Sequence, residues 1–420
     1  SRPPSPARPR RRRTRAAAVA SALVLGTGMA AAPAVPAAAD APGDRRAAAG
    51  PACSGSPAPT FGTASQHTAL NDKFTAYGNS NAKLDDWTGA DTTYSLKLSD
   101  GRLVYAYSDT FLGKINTDGT RSPTVDDGGT TPFINSSFVV QSAGGGLTTV
   151  HGGTAAAPKA VMPPAQANHW YWAGDLTQTG SEVQQLYREY YDPDPHNDTG
   201  WDMKWKDNVL ARFSPDDLSK PAQVVAMPSE DGVQWGSALL KDGGHTYIYG
   251  TEDYTDPDTE VNTKYLHIAR VRGTDLRGAW EYRTADGWSP TETASARLMS
   301  GVSNEFSVSR RGSHYLLVNQ DTKLAFGAEI DVLMSCSAAG PFTGEQTVYT
   351  TPETGAQGSY ENPEVYTYNA HQHASLSSSG NLVISYNVNS LDDVKDDGKV
   401  DNYEDVTIYR ARYINLPVSG

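Results

Sequence analysis

Residues 101–109 read GRLVYAYSD: a glycine, an apolar run of strand-forming residues, then a polar end. The unit returns as GHTYIYGTED at 244–253, GSHYLLVNQD at 312–321 and GNLVISYNVN at 380–389, with HWYWAGD at 169–175 as a fifth member. The centres lie roughly 65–75 residues apart, long for most solenoid repeats but enough for one four-stranded blade. A strand precedes the turn in each unit, at 91–98, 135–140, 234–240, 304–309 and 371–376, and a third follows at 265–271, 328–334 and 406–413. The pattern predicts an all-β chain folded as a five-bladed β-propeller. A β-sandwich would also give short strands and regular turns, but five similar units favour the propeller. No long segment carries a helical period. The second unit holds a long insertion at 152–168 and an aromatic, acidic segment at 187–205.

Outside the repeats, the start of the chain reads as an export signal. Arg10 to Arg13 and Arg15 form a charged region, 16–34 an Ala-rich apolar run, and Ala37 to Ala39 a small-residue cleavage site before Asp40. Gly26, Gly28 and Pro33 break the apolar run, which makes it a poor membrane anchor. The paired arginines leave twin-arginine export open. The expected organisation is a secretory signal peptide at 1–39, a flexible linker rich in Ala, Pro and Gly at 40–60, and the propeller at 61–420. The protein is then expected to be secreted, extracellular, monomeric and free of the membrane after cleavage.

Residues 1–39 hold seven arginines and no acid, so without them the formal charge of −13 becomes −20. That argues against nucleic acid as a partner, because phosphate recognition rests on clustered Lys and Arg. A neutral or cationic ligand suits it better. Oxidising conditions would let Cys53 and Cys336 pair and tie the N-terminal tail to the body, with two free thiols as the alternative. A lone pair of cysteines has no zinc-site spacing. The chain shows no Gly-x-Ser-x-Gly elbow, phosphate loop or dinucleotide fingerprint, and no cofactor is expected.

In an up-and-down blade, the start of the first strand and the end of the second share one end of the hairpin. Those places are polar in every unit. First-strand starts carry Asp91, Asn135, Gln234, Asn304 with Glu305, and His371 with His373; second-strand ends carry Asp109, Asp175, Glu252 with Asp253, Asp321, and Asn387 with Asn389. If 99–101 is a three-residue loop with Gly101 left-handed, residues whose numbers sum to 200 face each other. Asp91 then opposes Asp109 with α-carbons about 4.5–5.5 Å apart. Two carboxylates that close cannot both ionise freely, and an acid beside a carboxylate is what glycoside hydrolysis needs. The plainer alternative makes both solvated or turn-capping acids.

Trp170, Trp172, Trp201, Trp205 and Trp235 could stack on sugar faces, although propeller aromatics also pack between blades. The substrate-binding candidates are Asn135, Trp172, Asp175, Trp235, Asn304, Glu305, Asp321, His371 and Asn387. Glu305 and Asp175 are the candidates for a third carboxylate that orients or tunes the pair. No metal site is expected. Asp393, Asp397, Gly398, Asp401 and Glu404 match several positions of a calcium loop, but Lys395 occupies a usual ligand position, and an exposed acidic loop is the default.

With these residues in view, the chain resembles the five-bladed propeller glycosidases that act on furanosides, a group with arabinanases and fructan-cleaving enzymes. GADT at 89–92, SDTF at 108–111 and WAGD at 172–175 resemble secreted actinobacterial propellers formerly catalogued as domains of unknown function, one branch of which is endo-D-arabinanases. The resemblance implies that an aspartate at the start of the first inner strand and another in a Gly-Asp-Thr-Phe motif are catalytic. Asp91 and Asp109 stand at those positions, with Ser108 in place of the glycine. The function expected is a secreted glycoside hydrolase cleaving a furanoside-containing polysaccharide of the arabinan or arabinogalactan kind. The alternative is a carbohydrate-binding or cell-surface propeller without chemistry.

Overall fold

A computed structural model describes residues 50–195, 202–392 and 399–420. Five antiparallel sheets form a ring, each sheet a blade whose first strand lies innermost, so the all-β five-bladed propeller expected from the repeats is the fold. The inner strands are Trp87–Lys97, His169–Thr179, Val233–Asp242, Ser307–Arg311 and Val365–Gln372, and the second strands are Leu103–Leu112, Glu182–Tyr191, His245–Thr255, His314–Gln320 and Asn381–Ser390. Both sets are buried over most of their length, which is why they read as near-continuous apolar or aromatic runs rather than strict alternation.

The core is divided into layers between blades. Tyr94 and Phe138 of blade 1 pack with Tyr171 and Tyr187 of blade 2, and Leu186 of blade 2 with Trp235 of blade 3. Tyr249 meets Phe306 between blades 3 and 4, and Val318 meets Ile384 between blades 4 and 5. Trp87 meets Tyr413 where blade 5 closes on blade 1. Burying each such side chain is worth about 1.5–3 kcal/mol.

Two N-terminal features secure the ring. Thr60–Phe61 adds to the edge of blade 5, pairing with Ala411–Ser419, so the first and last strands of the described residues complete one sheet. A disulfide joins Cys53 to Cys336 in blade 4. Between these and blade 1 runs a helix, Thr68–Gly78, that the sequence reading missed; it buries Leu70, Phe74 and Gly78, spaced by four.

Some strand expectations are corrected. Residues 135–140 do not open blade 2; Ser137–Gln141 is the third strand of blade 1, and 169–175 belongs to the inner strand of blade 2. The true fifth member of the Gly-led set follows Gly180, which has φ of 54°. It is masked in the sequence because Gln184, Gln185, Arg188 and Glu189 are buried polar residues in that strand. In blade 5 the inner strand ends at Gln372, so His371 lies near its far end instead of its start, and the last strand starts at Ala411 rather than near 406. Residues 1–39 and 40–49 lie outside the described residues.

Candidate functional site

The ladder between the first two strands of blade 1 obeys the sum-to-200 register from Tyr94↔Ala106 to Lys97↔Leu103, and again at Ala90↔Thr110 and Gly89↔Phe111. Between these stretches it slips, at Thr92. Inner strands slip at the corresponding place in blade 2 between Ala173 and Leu176, in blade 3 between Trp235 and Ala238, and in blade 5 between Tyr368 and His371. The blade 1 slip is unusual. Thr92 and Thr93 have φ of 75° and 78°, a conformation that β-branched side chains strongly resist and that marks stored strain.

The strained turn presents Asp91 to the neck of the propeller. Its Oδ1 accepts the backbone N–H of Asp109 at 3.1 Å, while its Oδ2 accepts the hydroxyls of Tyr368 at 2.9 Å and Tyr409 at 3.1 Å. Asp109 Oδ1 accepts from Asn135 at 2.7 Å and from the Trp172 indole at 2.9 Å. Its Oδ2 is buried with no partner. Both aspartates are 0% exposed. Burial pushes Asp91 up to about 7, held from going further by the two tyrosine hydroxyls. Burial and the neighbouring Asp91 charge push Asp109 well above the usual carboxylate range. Each acid is thus held toward its protonated form, and the two titrate as a pair.

Glu305 reaches the same place from blade 4. Thr92 donates to its Oε1 at 2.9 Å, Arg188 stands 3.7 Å away, and its Oε2 has no partner. Burial raises it to about 8, with Arg188 opposing and Asp91 adding to the shift. Arg188 itself is tied to the carbonyls of Asn304 at 3.0 Å and Ala173 at 2.6 Å.

The other sequence candidates divide. Asn135 and Trp172 hold Asp109, and Asn387 donates to Thr93 Oγ1 at 3.0 Å, behind the strained turn. Asn304 is buried with its Oδ1 unpartnered. Asp175 is half-buried, and each of its oxygens accepts a backbone N–H, from Leu176 at 2.8 Å and Leu239 at 2.7 Å; it pins blade 2 to blade 3. Trp235 sits inside the blade 2–3 layer, its indole donating to Glu292 at 2.8 Å. His371 packs edge-on to Tyr94 with centroids 4.5 Å apart, 5.5 Å from the His373 ring, and burial lowers it to about 4. Asp321 lies on the blade 4 rim, capping the N–H of Lys323 at 2.9 Å. Trp201, Asp393, Lys395, Asp397 and Gly398 lie outside the described residues, while Asp401 and Glu404 bound a short helix.

Among the described residues, Asp321, Asp331 and Glu345 offer oxygens within 4.8 Å of one another, a spacing a cation could use. Lys323 Nζ already lies 2.6 Å from Glu345, supplying positive charge there.

An aromatic cluster lies over the acids. Trp170, Trp172 and Tyr190 of blade 2 pack with Tyr366 and Tyr368 of blade 5, bordered by Met203, Trp205, Phe326 and Leu391. Two of its members, Trp172 and Tyr368, are the hydrogen-bond donors to Asp109 and Asp91.

Residues 71–417 match the profile of a family described as a domain of unknown function (DUF5005). The chain belongs to that family. No curated protein matches this DUF5005 chain. Among solved structures, it is similar to a Bacteroides ovatus protein provisionally described as a hydrolase, with TM-score 0.64 and 22% identity over 84% of this chain and 90% of that one. Further likenesses are to a GH43_1 enzyme from Xanthomonas citri complexed with xylotriose, with TM-score 0.44 and 14% identity over 83% and 93% of the two chains. Another is a GH62 α-L-arabinofuranosidase catalytic domain from Coprinopsis cinerea, with TM-score 0.38 and 11% identity over 79% and 91%. The Bacteroides likeness shows the fold.

The site of this DUF5005 chain also contains residues the sequence reading missed. Tyr368 and Tyr409 hold Asp91, Thr92 holds Glu305, and Arg188 balances its charge. Tyr368 could have been found by aligning the slipped position of blade 5 with that of blade 1. Tyr409 carries no such signal, because it comes from the loop that leads into the last strand.

Proposed function

We propose that the protein is a secreted glycoside hydrolase that cleaves a furanoside-containing polysaccharide of the arabinan or arabinogalactan kind, with Asp91 and Asp109 as its catalytic pair. One observation carries the reading: Asp109 and Glu305 are buried, proton-holding acids that each leave a carboxyl oxygen without a partner beside Asp91. An unmet buried polar atom costs about 1–3 kcal/mol, and two of them beside one ionisable acid are what a site awaiting a ligand would leave open. Strain at Thr92 and Thr93 in the same turn is what functional sites concentrate.

In this mechanism Asp91, whose Oδ2 is held by two tyrosine hydroxyls that favour its charged form, acts as nucleophile or as base toward water. Asp109 passes its proton to the glycosidic oxygen as the bond from the anomeric carbon breaks. Glu305 is the third carboxyl that tunes Asp91. Hydrolases among the similar folds, including one complexed with xylotriose, agree with the reaction class.

Reducing-sugar release from arabinan, arabinogalactan and fructan tests the proposal. Asp91→Asn and Asp109→Asn should each lower turnover about 10³-fold or more while the protein stays folded. With an activated aryl furanoside, whose leaving group needs little protonation, Asp109→Asn should regain activity and Asp91→Asn should not. Full activity in the double variant would overturn the assignment. The full burial of the pair favours a second reading, a glycan-binding propeller without chemistry, and binding of a polymer that is never cleaved would select it.

A further inference from the structure

We propose that the cleft between blades 3, 4 and 5 is a binding subsite for one neutral sugar unit of the polymer, next to the acid pair; this rests on the hydrolase reading and extends it. The cleft is lined by Asn262, Lys264, Gln320, Leu324, Phe326 and Asn369, among others. Its inner wall is Tyr368, the residue whose hydroxyl holds Asp91. A molecule seated there is one side chain away from the acids.

The lining has the two-sided chemistry of a sugar. Phe326 packs against Tyr366 with ring centroids 4.2 Å apart, and Leu324 stands 74% exposed at the rim; together they offer apolar surface to the C–H face of a ring. On the polar side, Gln320 and Asn369 are each 3% exposed, and each leaves one amide atom without a partner: Oε1 of Gln320, an acceptor, and Nδ2 of Asn369, a donor. Gln320 is held in place through its other end, which donates to Thr367 Oγ1 at 2.7 Å and to the Gly327 carbonyl at 3.0 Å. A fixed acceptor and a fixed donor match hydroxyls, which do both.

Charge points the same way. Lys264, 2% exposed, is neutralised by Asp253 at 2.5 Å, so among the described residues that line the cleft none offers a free cation to an anionic sugar. The conformation of the wall is also unusual, with Phe326 at φ of 54° and Asn369 at 60°. Asn tolerates that region and Phe does not, so strain is spent on aiming an aromatic ring.

Calorimetric titration of arabinotetraose and of xylotriose into Asp109→Asn protein, in which turnover is blocked, tests the subsite. Asn369→Asp keeps the shape and the backbone conformation while removing the donor; Leu324→Asp alters an exposed side chain with no part in folding. Each, added to the Asp109→Asn background, should weaken binding of at least one sugar tenfold or more, Leu324→Asp at an unchanged melting temperature. Unchanged affinity in both variants, or no binding of either sugar to the parent, would overturn the subsite. The two levels of the reading separate cleanly. Hydrolysis by the unmodified protein with a KM that neither variant moves sinks the subsite alone, whereas sugar binding that depends on Asn369 without any hydrolysis sinks the catalytic reading alone.

Discussion

Asp175 is half-buried and Asp109 fully buried on this propeller, and they differ in what meets their oxygens. Two backbone amides satisfy Asp175, while Asp109 keeps Oδ2 unmet. Burial nonetheless raises Asp175 as well, to about 7, and the raised acids have a thermodynamic consequence. Below about pH 4 these acids are protonated in both the folded and unfolded chain, and their raised values have no effect on stability. As pH rises the unfolded chain ionises first, so unfolding releases protons and stability falls by about 1.4 kcal/mol per pH unit for each such group. The fall runs until the folded group also ionises, near 7 for Asp91 and near 8 for Glu305. Asp109→Asn removes one group from this balance. Its melting temperature should exceed that of the unmodified protein by several degrees at pH 7.5, and the gap should shrink toward pH 4.5. An equal or lower melting temperature at pH 7.5 would mean that Asp109 is not held against its ionisation. Loop chemistry and spacing put Asp91 beside Asp109, where a hydrogen bond joins them, but as direct ladder partners, and the ladder slips at Thr92 instead. The turn that aims Asp91 was not legible, because consecutive threonines argue for plain extended strand.

At the scale of elements, the Gly-led second strands were legible wherever their interiors are apolar, as in blades 1, 3, 4 and 5. Blade 2 failed because its second strand buries glutamines, an arginine and a glutamate, and such residues read as surface. Inner strands were placed less well where the slip puts polar residues inside, as at Asn369 and His371. The glycine of the GADT stretch illustrates a constraint that only packing reveals. A β-carbon on Gly89 would lie 2.7 Å from the Tyr409 carbonyl oxygen, and Tyr409, at φ of 90°, cannot easily yield. Gly89→Ala should therefore cost about 1–3 kcal/mol and move the Tyr409 hydroxyl off Asp91. Chemical denaturation should show the loss, and the pH profile of turnover should shift upward as Asp91 loses a hydrogen bond that favours its charged form. A variant with native stability and an unmoved profile would remove Tyr409 from the account. The disulfide acts elsewhere. It crosslinks residues 283 apart, so replacing Cys53 and Cys336 with serine should cost about 2–4 kcal/mol without altering KM or kcat, as measured on the same samples.

Across the whole molecule, the ring brings to one place residues from four of the five blades: Asp91 and Asp109 from blade 1, Trp172 and Arg188 from blade 2, Glu305 from blade 4, Tyr368 and Tyr409 from blade 5. Repeat spacing made the ring legible, and the ring makes their meeting unavoidable, but which side chains cover the acids follows from tertiary packing that spacing does not encode. That cover decides how a polymer reaches them. The cluster from Trp170 to Tyr368 bridges blades 2 and 5 above two fully buried carboxyls, so on the hydrolase reading it must part during turnover. Trp205 borders the cluster without touching either aspartate. Trp205→Ala should loosen the bridge at its edge, increasing acrylamide quenching of tryptophan fluorescence and raising kcat/KM several-fold if opening limits access. The acids are untouched, so the pH dependence of kcat should stay as it was. Greater quenching with an unchanged kcat/KM would place the route elsewhere, and the cleft beside Tyr368 would then be the entrance as well as a subsite.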